Sequence, residues 1–108
     1  EFESCPFGII GLETAVSLAL EELVAPGKIT LNRMVGLFTT GPESVLQLGR
    51  GTLRPGSPAD LTLFATDFEW TYDVNQSPSR SRNSPFDGRT FRGGPMATVV
   101  NGEVVWRR

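Results

Sequence analysis

Along residues 9–24, IIGLETAVSLALEELV, apolar positions recur at helical spacing: Leu12, Val16, Ala19, Leu20 and Leu23 fall on one stripe, and Glu13, Ser17 and Glu21 on another face. The pattern predicts an amphipathic helix that stops at Ala25-Pro26-Gly27, where proline and glycine together disfavour continuation. Thr30 is placed to cap a second helix in which Leu31, Met34, Val35 and Phe38 recur up to Thr39. Gly41-Pro42 interrupts again, and Pro42 suits the first turn of a short third helix, PESVLQL, closed by Gly49 in a left-handed cap.

Beyond Gly49 the pattern changes. Gly51, Pro55, Gly56 and Pro58 punctuate a loop, Leu61 to Phe64 form a short apolar run expected as a buried strand, and Glu69-Trp70-Thr71-Tyr72 is a second candidate. Residues 75–95 are rich in Ser, Pro, Arg, Asn and Gly without periodicity and read as one long loop, the kind that usually has a function or a partner. The end of the chain predicts a β-hairpin, 97–100 paired with 103–106. Asn101-Gly102 between them accepts the positive φ angles of a two-residue type I′ turn.

Composition narrows the chemistry. A chain of 108 residues with 39% hydrophobic and 20% charged residues has the size of one core, and no apolar run approaches the ~18 residues of a membrane span. There is no His and one Cys, Cys5, so the usual zinc ligand sets, a His-based nucleophilic triad and an internal disulfide are all excluded within these residues. The single cysteine is compatible with the cytoplasm. A net charge of −2 argues against nucleic acid as a partner. Charge is uneven, however: six Arg stand against Asp87 and Glu103 from Arg80 onward, a distribution that suits solvated surface, an anionic partner or a neighbouring subunit.

Three stretches carry candidate function. Pro6-Phe7-Gly8-Ile9-Ile10-Gly11 is a glycine-containing loop entering a helix, where free backbone N–H groups can hold an anion and a glycine lets a ligand approach; a plain helix entry is the alternative. In Gly49-x-Gly51-x-Leu53-x-x-Gly56-x-x-Ala59-Asp60-Leu61, Asp60 is expected to pin a turn by accepting backbone N–H groups rather than to do chemistry. Ser79-x-x-Arg82-Asn83-Ser84-Pro85-Phe86-x-Gly88 places an Arg, an Asn and an aromatic in one loop, suited to fastening a domain contact or to binding a carboxylate.

Together and in this order, PFGIIGLETA at 6–15, GTLRPGSPADLTLF at 51–64, SRNSPFDG at 81–88 and TVVNGEVVW at 98–106 resemble the C-terminal part of a dihydroorotase of the amidohydrolase superfamily. Allantoinases and dihydropyrimidinases are the near alternatives, and the Asn83-Ser84-Pro85-Phe86 loop is more similar to dihydroorotase than to either. The resemblance implies an α/β fold: residues 1–48 as the end of a (β/α)₈ barrel and 49–108 as strands of a small β-sandwich that the family builds jointly from both ends of its chain. Such a barrel takes about 250 residues, so these 108 are expected to be a fragment.

The implied activity is the interconversion of N-carbamoyl-L-aspartate and dihydroorotate in pyrimidine synthesis. The implied cofactor is zinc, held by histidines, an aspartate and commonly a carboxylated lysine. All of these lie upstream of the segment matching Glu1, so no catalytic or metal-binding residue is expected here. By position in the Pro-Phe-Gly loop, Phe7 and Gly8 are the implied substrate-binding residues. The implied partners are that substrate pair and the upstream part of the same enzyme, with a second copy or aspartate transcarbamoylase as further candidates. The competing expectation is a non-catalytic module derived from an amidohydrolase that docks on other proteins.

These 108 residues by themselves are expected to hold no zinc, since carboxylates such as Asp60 and Asp73 alone suit harder ions. Metal analysis after dialysis should find none, and stoichiometric zinc would contradict the assignment.

Overall fold

The computed structural model describes Glu3, Cys5 and residues 7–108. Pro6 of the expected substrate loop lies outside the described residues. Helices come first: α1 (Ala15–Ala19) runs directly into a π-helical turn (Leu20–Val24), followed by α2 (Leu31–Phe38) and α3 (Thr40–Leu46). An antiparallel sheet in the order β1-β2-β3 follows, from β1 (Leu61–Thr71), β2 (Thr90–Val100) and β3 (Glu103–Arg107), with a 3₁₀ turn at Val74–Gln76.

The first helix begins later than its periodicity suggests. Residues 11–14 form a turn in which the Thr14 N–H and hydroxyl both reach the Gly11 carbonyl, each at 3.3 Å. Its apolar stripe is otherwise as expected: Ala19 and Leu20 are buried with Met34 of α2, and Val16, Leu23, Val24, Ile29 and Phe64 pack around them. Leu12, one residue of the expected stripe, is 93% exposed. The supposed polar face is the correction, because Ser17 is fully buried and donates to the Gly93 carbonyl of β2 at 2.8 Å. Glu21 reaches the same strand, accepting the Arg92 N–H at 2.7 Å and pairing with Arg89 at 2.9 Å. Glu22 and Glu21 together hold the Arg89 pKa above its usual value.

Thr30 caps α2 as its sequence predicts, its hydroxyl accepting the Arg33 N–H at 3.2 Å. The end of α3 differs: the left-handed cap is Gln47, at φ 52°, two residues before Gly49. Glu43 makes this work. Its carbonyl accepts the Gln47 N–H, and its carboxylate accepts three successive N–H groups, from Leu48 at 3.2 Å, Gly49 at 2.8 Å and Arg50 at 3.1 Å.

In the sheet, the Asn101-Gly102 hairpin is present as expected, with φ angles of 51° and 84°. The two apolar segments expected as separate strands are one, β1, interrupted by a bulge between Ala65 and Glu69. The long loop is shorter than expected, since β2 already starts at Thr90. A second core forms where the sheet meets the helices: Phe91, Tyr72 and Val74 are buried, and Ile10, Leu18, Trp70 and Phe86 pack on them. Trp70 lies tilted against Phe91 with ring centroids 5.4 Å apart and edge-on to Tyr72 at 6.2 Å. The Arg108 guanidinium stacks 4.1 Å from the Trp70 ring, flanked by Phe68 and Trp106, and this partial burial lowers its pKa.

Backbone hydrogen bonds from Arg50 first, then Gly49, pull the Glu43 pKa below its usual 4.5. The ionised carboxylate therefore stabilises the fold above that value, and the stabilisation is lost as pH falls through the lowered folded-state pKa. Glu43→Gln should lower the melting temperature at pH 7, and the gap to the parent protein should close under acid when melting is followed against pH.

Candidate functional site

The loop that carries Phe7 and Gly8 precedes α1 and lies open to solvent. Phe7 is fully exposed and Ile9 is 59% exposed. Gly8 sits at φ +70°, a conformation that favours glycine, and among the described residues no atom beyond its chain neighbours lies within 4 Å of where its Cβ would be. A side chain there would be strained without being crowded. Beside it, a shallow concavity of about 260 Å³ is lined by Ile9, Ile10, Gly11, Leu12, Glu13 and Ser79.

What fixes this loop is the long segment between Tyr72 and β2. Asn83 donates from its side-chain amide to the Gly8 carbonyl, and its own carbonyl accepts the Ile10 N–H at 3.0 Å. The Ile10 amide, a candidate anion donor in the sequence, is therefore engaged within the protein. Farther along, the Ser77 hydroxyl donates to the Glu13 carboxylate at 2.6 Å and accepts the Ser79 N–H at 3.1 Å. Arg82, the candidate carboxylate binder, turns back onto its own loop and donates to the carbonyls of Ser79 and Ser81. Of the two roles that the Ser79–Gly88 motif suggested, the geometry is that of fastening.

Asp60 is likewise a pin, at a place the local sequence does not disclose. It accepts the N–H of Asn101 at 2.8 Å and pairs with Arg50, so it ties the start of β1 to the hairpin turn 41 residues later. The neighbouring Ala59 carbonyl accepts the Gly102 N–H at 3.0 Å. Asp60 is thus remote from the Phe7–Gly8 loop in role. Among the described residues, no three His, Cys, Asp or Glu side chains converge to hold a metal ion, so the zinc that the resemblance implies would take its ligands from outside them. No helix among them is long and apolar enough to cross a membrane.

No family model matches the chain. A dihydroorotase from Solibacter usitatus is 75% identical over 108 residues, all of this chain and 25% of that protein, and one from Endomicrobium trichonymphae is 43% identical over 99% of the chain and 26% of its own length. The chain is a segment of a dihydroorotase-like amidohydrolase. It spans about a quarter of the length of the curated relatives it matches. Among solved structures, an L-hydantoinase (dihydropyrimidinase) from Arthrobacter aurescens superposes with a TM-score of 0.88 at 33% identity, over 99% of this chain and 24% of its own. A D-hydantoinase from Thermus sp. gives 0.83 at 28% identity, over 98% and 24%. The amidohydrolase segment thus has an α/β arrangement, trailing helices and then a three-stranded sheet, in agreement with the fold expected for it.

Proposed function

We propose that this chain is the C-terminal quarter of a dihydroorotase that interconverts N-carbamoyl-L-aspartate and dihydroorotate in cytoplasmic pyrimidine synthesis. The observation that carries the proposal is 75% identity to a dihydroorotase along the whole chain. In this reading residues 1–48 end the barrel, residues 49–108 belong to the composite sandwich, and the upstream part of the enzyme is the first partner. The histidines, lysine and aspartate for zinc and proton transfer belong to that upstream part; this chain contributes no catalytic residue.

Its own contribution is to binding. Phe7 offers an exposed aromatic surface, and Gly8, with no side chain and a left-handed backbone, lets a substrate come close to the main chain. Loops at the C-terminal face of a barrel are where substrates of this fold class sit. The large apolar side chains exposed before α1 and on α3, Leu12 and Val45 among them, and the exposed Val104, Val105 and Trp106 of edge strand β3 are surfaces suited to cover by the rest of the enzyme.

A second reading, a hydantoinase or dihydropyrimidinase, is favoured by the solved structures that superpose on the chain. Assay of the complete enzyme separates the two: turnover of dihydroorotate in preference to hydantoin and dihydrouracil is expected, and the reverse preference would transfer the assignment. In the same enzyme Gly8→Val should raise KM and also lower kcat, for a combined loss in kcat/KM of about ten- to a hundredfold, with a smaller effect on melting. Kinetics equal to the parent enzyme would remove Gly8 from the site.

A further inference from the structure

We infer that Asn83 is a positioning residue for substrate binding, acting through the Phe7–Gly8 loop; the inference rests on the proposal that this loop touches the substrate. Asn83 bonds on both sides of Ile9, donating through its side-chain amide to the Gly8 carbonyl and accepting the Ile10 N–H on its main-chain carbonyl. These two bonds make a clamp. The rest of the loop is open to solvent, since Phe7 and Ile9 are exposed and the Cα of Gly8 faces open space among the described residues.

The clamp itself is anchored. The Asn83 N–H is held by the Ser81 hydroxyl at 3.2 Å, the Ser84 N–H by the Arg82 carbonyl at 3.1 Å, and the Phe86 N–H by the Ser84 hydroxyl at 3.3 Å. Phe86 then packs edge-on against buried Phe91, with centroids 6.4 Å apart, and Ser77 ties the start of the segment to Glu13. Asn83 thus transmits the position of the second core to the loop. An amide is the chemistry required: a carboxylate of the same size would set an oxygen against the Gly8 carbonyl oxygen, and alanine would leave that carbonyl without its donor.

A loop that must be ordered on binding weakens the complex more than it slows the bound reaction, so the effect belongs in KM. The test uses the complete enzyme carrying Asn83→Ala and Asn83→Asp. In both variants KM for dihydroorotate should rise roughly three- to tenfold with kcat changed less than about twofold. Amide hydrogen exchange over residues 8–11 should accelerate while exchange within β2 is unchanged. Faster loop exchange with an unaltered KM would overturn the positioning role and leave the amidohydrolase assignment standing, and unaltered exchange would overturn the clamp itself. A parent enzyme that turns over no dihydroorotate would instead overturn the functional reading, and the positioning role with it.

Discussion

The carbonyl of Gly93 is the point on which the rest of the structure depends. It accepts two hydrogen bonds, from the buried Ser17 hydroxyl at 2.8 Å and from the Trp70 indole at 3.1 Å, so one strand atom ties together the helix layer, β1 and β2. The approach is close enough to forbid side chains. A Cβ on Gly94 would lie 2.5 Å from the Ser17 oxygen and 2.9 Å from the Trp70 nitrogen, and one on Gly93 would lie 2.9 Å from the Ala65 carbonyl. A buried carbonyl left without donors costs about 1–3 kcal/mol, and both donors here are side chains, of Ser17 and Trp70.

The two cores form on either side of this junction. Ala19, Leu20 and Met34 fill one, and Phe91, Tyr72 and Val74 the other, with Leu18 of α1 reaching into the second. At the entry to α1, Ile10 packs on the same core as Phe86, and Glu13 accepts the Ser77 hydroxyl of the loop before β2. The loop with Phe7 and Gly8 is therefore held at one remove from the junction. Helix placement fixes Ile10, the aromatic core fixes Phe86, and Asn83 joins the two across the loop.

Much of this was legible in the sequence where a local rule sufficed. Asn101-Gly102 needs positive φ and nothing else, and Thr30 needs only the helix that follows it. The motif of the Phe7–Gly8 loop is local, but its geometry is set far away in sequence, since Asn83, 73 positions on, takes the Ile10 N–H. Ser17 shares its predicted face with Glu13 and Glu21, yet Glu13 meets Ser77, Glu21 reaches Arg89 and Arg92, and the serine meets a glycine backbone that no helix pattern announces. Gly93-Gly94-Pro95 likewise has the composition of a loop; it is strand, with the glycines admitting the helix and Pro95 beside the irregular register opposite Phe64.

The close approach at Gly93–Gly94 holds helix layer and sheet together and, through them, the loop. Gly94→Ala in the complete enzyme, followed by amide hydrogen exchange, tests it most directly. The added methyl cannot be placed without moving Ser17 or Trp70, so protection is expected to fall together in α1, in β2 and over residues 8–11, with overall stability down by about 1–3 kcal/mol. A loss of protection confined to the residues beside position 94, with α1 and the loop exchanging as in the parent, would contradict it.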